Sequence, residues 1–410
     1  MLHAVKATCT GLLVFAFGLA AVPARAQDPQ ADLRAQIEQL RQQLQALQEK
    51  VTKLEAAQPA AAPAQPPVTP PQPALPEPVQ APPGGAAPLT AKIFNPDMAV
   101  IGNFIGAAGH NSIEPMPALK LNEAEASFQA VVDPYARADF FLSASPEGLE
   151  VEEGFITFPT LPGGLLMKVG KMKAQFGKVN TMHSHVLPWV DEPLAMKNLL
   201  GGDEGLNDSG ISVSKLIMNP VLFLEATGEI YNGENDVFRS YKRSDLTYVG
   251  RLRGYRDVTE STNLDVGTSY AYGHNDTDPE ATTKLFGIDA TFRYRPLQQG
   301  LYKRALVRTE MFWSNREQPI GDAKAFGAYV SGEYQLTRRL FGGARYDWSE
   351  RAYDASLKDN GGSVLLTFWP SEFSQIRGQY RRTRYAEGAT ANEFLFQFLF
   401  SIGAHGAHVF

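Results

Sequence analysis

The sequence predicts an all-β fold, a transmembrane antiparallel barrel of sixteen strands, preceded by a short α-helical coiled coil. Three observations carry this reading. Beyond Ala91, apolar residues recur at every second position in runs of eight to fourteen residues, about the length that crosses a bilayer when tilted. The connections between these runs alternate short and long. After the first thirty residues no stretch approaches about eighteen consecutive apolar positions, which excludes a helical span but not a barrel.

Residues 1–26 read as a secretory signal, with Lys6, an apolar core from Gly11 to Val22, and Ala24-Arg25-Ala26 before a mature start near Gln27. The single cysteine, Cys9, lies inside it, so the mature chain offers no disulfide and no thiolate chemistry. In residues 27–56, Leu33, Ile37, Leu40, Leu44, Leu47, Val51 and Leu54 alternate spacings of four and three. That is the a/d seam of a coiled coil, which demands self-association but leaves dimer and trimer open. Residues 57–92 form a linker whose twelve prolines, between 59 and 88, favour extended polyproline II and forbid helix and sheet.

Residues 93–410 hold the barrel. Its predicted strands are Asp97 to Ala108, Leu119 to Val132, Tyr135 to Ser145, Val151 to Phe158, Leu165 to Ala174, Ser209 to Ile217, Val221 to Tyr231, Ser244 to Arg256, Thr262 to Tyr272, Thr283 to Arg295, Lys303 to Trp313, Lys324 to Leu336, Arg339 to Ser349, Gly362 to Trp369, Phe373 to Tyr385 and Glu393 to Ile402. The even count returns the chain to the side it entered from. Alternation is clearest where Tyr248, Gly250 and Leu252 interleave with Thr247, Arg251 and Arg253, and where Ile376, Gly378 and Tyr380 interleave with Arg377, Gln379 and Arg381. The apolar parity meets lipid and the polar parity lines the lumen.

A barrel of this size leaves a wet lumen whose selectivity is set by its charges. Lumen parity holds Glu123, Glu125, Asp139, Glu225 and Glu229 in the earlier strands, and Arg251, Arg253, Arg293, Arg295, Arg308, Arg345, Arg377 and Arg381 from the eighth onward. Acid on one wall and guanidinium on the other set up a transverse field; mutual neutralisation is the alternative. The longest connection, Phe176 to Asp208, carries Lys178, His183, His185, Asp191, Glu192, Asp203 and Glu204. Its Leu187-Pro188-Trp189-Val190 is apolar enough to require burial, which favours inward folding over a lid on neighbouring loops or a subunit contact. His183-x-His185, with His110 and His274 on other loops, offers imidazoles of the kind zinc and copper take. Loops on different hairpins enforce no common geometry, so no metal, cofactor or catalytic residue is assigned. No Gly-x-Ser-x-Gly elbow, Walker loop or His-Glu-x-x-His occurs, and 36 basic against 44 acidic residues in the mature chain, a net charge of −8, argue against nucleic acid as a partner.

Phe394, Phe396, Phe398, Phe400 and Ile402 share one face, and the chain stops at Phe410 in the same parity. Here it resembles Gram-negative outer-membrane barrels, whose last strand ends in an aromatic residue read by the barrel-assembly machinery; His408 departs from the usual aromatic or apolar residue. Strand order, long third external loop and N-terminal coil resemble trimeric porins. Val169-Gly170-Lys171-Met172-Lys173-Ala174-Gln175-Phe176-Gly177 is similar to the fifth-strand stretch of the phosphate-selective porin O/P-like family, with Gln175 where a proline commonly stands. The resemblance implies an outer-membrane homotrimer with its coil in the periplasm. It also implies a third loop folded into the lumen, with Asp191, Glu192, Asp203 and Glu204 as the acidic side of the constriction. The implied function is passive diffusion of small hydrophilic solutes or ions. The alternatives are an anion- or phosphate-selective channel, and a tether reaching peptidoglycan through the coil.

Overall fold

The structure is a computed structural model that describes residues 96–403 other than 147 and 203. The signal segment, the coil from Leu33 to Leu54, the proline-rich linker, Asp203 and Phe410 lie outside the described residues.

Sixteen strands follow one another: β1 (Asp97–His110), β2 (Lys120–Asp133), β3 (Ala136–Ser145), β4 (Gly148–Leu161), β5 (Leu165–Lys173), β6 (Asn207–Ile217), β7 (Phe223–Tyr231), β8 (Thr247–Thr259), β9 (Thr262–His274), β10 (Thr282–Tyr294), β11 (Ala305–Arg316), β12 (Ala323–Gln335), β13 (Leu340–Arg351), β14 (Asp354–Ser371), β15 (Ser374–Arg384) and β16 (Thr390–Gly403). Each pairs with its sequence neighbours, and β1 pairs antiparallel with β16 from Ala99↔Gly403 to His110↔Asn392, closing the barrel. Closure leaves no strand edge, the condition that hydrocarbon imposes on any sheet that spans it.

The two faces follow the alternation read from sequence. On β14, Val364 is 58% and Leu366 50% exposed while Ser363 and Thr367 are buried; on β16, Phe394, Phe398 and Phe400 point outward while Glu393 and Gln397 point in. Four outward rings, Phe286, Trp313, Phe326 and Trp348, make a row across β10 to β13 with centroids 5.5, 5.0 and 5.6 Å apart. A row of this kind fits an interfacial aromatic girdle. At the closing seam, Phe396 covers Gly106 of β1, and a side chain there would also meet the backbone oxygen of Ala118.

One predicted loop is not a loop. Glu350 to Gly361 reads as an external connection, yet β13 runs to Arg351 and β14 resumes at Asp354, so the turn is residues 352–353. Cross-strand pairs hold the extension: Glu350 to Lys358 at 3.1 Å and Arg351 to Asp359 at 3.0 Å, with Arg351 also meeting Glu387 at 2.6 Å. Polar strands that rise above a membrane look like loops in a composition reading, because water on both faces removes the alternation.

Candidate functional site

Between β5 and β6 the chain leaves the wall and crosses the lumen as residues 174–206. It first reaches β8 to β11. The Gly177 amide donates to Ser269 Oγ at 3.1 Å, Arg251 donates to the Gly177 carbonyl, and the amides of Lys178 and Val179 donate to Glu310 at 2.7 and 3.0 Å. It then turns to the opposite wall. There His183 Nδ1 lies 2.7 Å from Glu125 and Nε2 2.8 Å from Glu153, while Ser184 donates to Glu123. Next it reaches β15 and β13, where Arg377 donates to the carbonyls of Leu187 and Trp189, and Asp191 accepts from Arg345 and Arg381, both at 2.9 Å. The short helix α1 (Leu194–Leu199) packs on β12 and β13.

This path exists because the lumen offers an apolar platform. Val249, Ala271, Leu285, Phe312 and Ala325 break the polar parity of their strands, and Phe176, Val179, Leu187, Trp189, Met196 and Leu199 of the loop pack with them in one buried cluster. Trp189 is 2% exposed, edge-on to Tyr329 at 5.3 Å and under the Arg345 guanidinium at 4.8 Å. Truncating such a ring costs about 3–5 kcal/mol. α1 also needs a bare spot on the wall. A Cβ on Gly327 would sit 2.9 Å from Leu199 Cδ1 and 3.0 Å from Ala195 Cβ. Gly327→Val is therefore expected to form a closed barrel, seen by heat-modifiable gel mobility, whose loop becomes cleavable by protease in the 194–206 stretch.

Two cavities flank residues 181–188 of the loop. One, of about 410 Å³, has Glu125, His183 and His185 with Lys178, Arg251 and Arg253 around it. The other, of about 240 Å³, is lined by Arg293, Arg295, Arg304, Arg308 and Arg377 against Glu333 and Glu372. The charges around them do not all cancel. Asp265 takes a bidentate pair from Arg253 at 2.9 and 2.7 Å, and both Lys178 at 3.6 Å and Arg293 at 3.7 Å lean on the same carboxylate. One anion thus faces three cations. Burial and the neighbouring guanidinium of Arg253 push the Lys178 ammonium below its ordinary pKa despite Asp265. Arg377 gives its hydrogen bonds to neutral oxygens of Thr367, Leu187, Trp189 and Gln397, and Arg308 Nε and Nη1 are buried without an acceptor among the described residues.

The other residues singled out by parity divide by partner. Arg251 is held by Asp289 at 2.9 Å, Arg345 by Asp347 at 2.8 Å and Asp191, and Arg381 by Asp191 and Glu393 at 2.5 Å. These three fasten the loop and the wall. Burial alone would raise the Asp191 carboxyl, but Arg345 and Arg381 beside it hold it well below the usual carboxylate range. Asp139 pairs with Arg137 at 2.8 Å; Glu229 accepts the Gln175 amide at 2.8 Å and, with Glu225, lines a separate cavity near Lys168. Arg295 is exposed beyond the end of β10. Glu192 is half-buried, its carbonyl accepting from Arg345, and Glu204 is exposed beside Asn207.

Several residues of the site escape a parity reading. Glu152 and Glu153 are adjacent yet both buried, because a register shift opposite Phe141 and Leu142 skips Glu152 and turns both carboxylates toward the loop. Burial disfavours the His183 imidazolium, but the carboxylates of Glu125, Glu152 and Glu153 raise its pKa well above the usual histidine value. Glu310, Asp265 and Lys178 were legible only as charges. The lumen-side Ala271, Leu285, Phe312 and Ala325, apolar where the parity asks for polar, are the sequence signal of a docked loop.

No protein-family model matches the chain. Solved structures share its fold. An anion-selective porin from Comamonas acidovorans superposes with TM-score 0.53 at 11% identity, covering 75% of this chain and 99% of that one. A loop-deletion mutant of OmpT, an outer membrane protein of Vibrio cholerae, gives 0.52 at 11% identity with the same coverage, and Salmonella typhi OmpF gives 0.50 at 9%, covering 75% of this chain and 98% of its own. An uncharacterized protein of Aquifex aeolicus is 32% identical over 346 residues, 74% of this chain and 73% of its own. The chain belongs to one family with that Aquifex aeolicus protein, and its fold is the closed barrel of outer-membrane porins.

Proposed function

We propose that the protein is an outer-membrane porin that lets small hydrophilic solutes and ions diffuse passively through its lumen. The observation that carries this is the loop: residues 174–206 cross a sixteen-stranded barrel, tied to the wall at several points, and leave charge-lined cavities on either side of residues 181–188. Ions cross a bilayer slowly because dehydration is costly, and a wide polar lumen removes that cost. Self-association, which the heptad seam of residues 27–56 requires, is read as a homotrimer with its coil in the periplasm. We read Phe410 as the residue presented to the barrel-assembly machinery.

One observation favours anions among the solutes. The 240 Å³ cavity sets five arginines against two glutamates, and Arg377 in it is hydrogen-bonded only to neutral oxygens among the described residues. Swelling of liposomes loaded with the purified protein tests the diffusion reading. Swelling is expected to fall steadily as sugars grow from pentose to trisaccharide, with glucuronate entering faster than a neutral hexose. Absence of swelling with every sugar would sink the reading.

A further inference from the structure

The loop and the wall meet at a set of donors that the diffusion reading does not use. Glu125 of β2 and His183 and His185 of the loop each present a ligand atom, all within 4.8 Å of one another. His185 Nδ1 lies 3.4 Å from Glu123 Oε1 and 3.6 Å from Glu125 Oε2, yet it is buried with no hydrogen-bond partner among the described residues. His185 as a whole is 6% exposed. Two donors on a tetrahedral zinc ion stand about 3.3 Å apart for bonds of about 2.0–2.1 Å. The unpartnered nitrogen and its two carboxylates are therefore already spaced as ligands, not as a hydrogen-bonded pair.

The surroundings fit a metal as well. His183 Nδ1 lies 2.7 Å from Glu125, a hydrogen-bond contact that an entering ion would open to about 3.3 Å, while its Nε2 lies 2.8 Å from Glu153, the carboxylate–histidine arrangement that orients an imidazole whose other nitrogen binds a metal. Four carboxylates, Glu123, Glu125, Glu152 and Glu153, crowd the point, and Lys173 lies 3.4 Å from Glu152. Glu152 Oε2 is buried without a hydrogen-bond partner among the described residues too. Such an excess of negative charge favours a dication. Imidazole with carboxylate selects the zinc and copper(II) class over calcium or magnesium, which take oxygen ligands. All three donors border the 410 Å³ cavity, so an ion has a route from the lumen.

We propose that Glu125, His183 and His185, assisted by Glu123, hold one transition-metal dication of the zinc class, bridging the lumen loop to the β2–β4 wall. The nearest carboxylates come from β2 and β4 and not from the loops of His110 and His274, which is why spacing in the sequence pointed to no site. The mature protein in detergent, stripped with EDTA and then titrated with zinc chloride, is expected to take up one ion per chain. Cobalt(II) should give the intense visible bands of tetrahedral coordination. Losing an outer-shell partner of a site costs about 10–100-fold in affinity, so losing a ligand should cost at least that. His185→Gln is the informative variant, since among the described residues His185 Nδ1 makes no hydrogen bond whose loss would loosen the fold. It should keep its heat-modifiable mobility and bind zinc at least about tenfold more weakly, with the cobalt bands gone. Zinc binding of unchanged affinity in His185→Gln would place the ion elsewhere and overturn the proposal. So would the absence of saturable binding in the wild type, leaving His183 as a proton-bridged contact only.

Discussion

Asp191→Ala is expected to raise single-channel conductance and make the open current noisy, while lowering the urea midpoint of the barrel. Asp191 joins two strands of the far wall to the loop, accepting from Arg345 of β13 and Arg381 of β15 at 2.9 Å each, with Gln379 donating to its other oxygen. Removing one partner from a buried ion pair costs about 3–5 kcal/mol because the remaining charge is left uncompensated. Arg345 keeps Asp347 and Arg381 keeps Glu393, so the loss belongs near the lower end, about 3 kcal/mol. The loop stays anchored at Glu310 and Glu125 and by Arg377 at the Leu187 and Trp189 carbonyls, so the stretch that loosens is centred on residues 190–193. Asp191→Asn keeps the shape and loses the charge, and should fall between wild type and Asp191→Ala in both readouts. A quiet channel of wild-type conductance in Asp191→Ala would mean that the clamp does not set the aperture.

The second large effect is on selectivity. Arg295 and Arg304 line the arginine-rich cavity, and neither appears in an ion pair among the described residues; Arg304 donates only to the Gly300 carbonyl. Reversing both to glutamate changes the local charge by four units without breaking a clamp. A unit charge about 8 Å from a passing ion is worth about 0.5 kcal/mol in water, and a Debye length of about 10 Å at 0.1 M salt removes roughly half of the summed effect. Anions and cations move in opposite senses, so the anion-to-cation permeability ratio should fall on the order of tenfold, where 1.4 kcal/mol is a factor of ten. The fall should shrink as salt rises. A ratio that does not move would place the selective charges on the other cavity, around Lys178, Arg253 and Asp265.

The barrel was legible because its signal is local. A period of two marks lipid and lumen faces whatever the strand pairs with, so Arg251, Arg377 and Arg381 could be assigned to the lumen from their neighbours alone. What each lumen charge does was not legible, since that depends on contacts across the barrel. Arg345 and Arg381 look like Arg293 in the sequence, yet they clamp the loop while Arg293 leans on a shared Asp265. The facing acids beside His183 were hidden for a different reason. A bulge turns Glu152 and Glu153 to one side, against the alternation that a strand reading assumes. The extension of β13 and β14 past the membrane was lost because paired charges in water carry no apolar parity.

The most direct measurement is the reversal potential of the purified protein in a planar bilayer under a steep KCl gradient. Stepwise conductance with a reversal potential displaced toward the chloride equilibrium value is the predicted result. A membrane that stays silent after repeated additions of protein, shown to be folded by its heat-modifiable mobility, would contradict a diffusion channel.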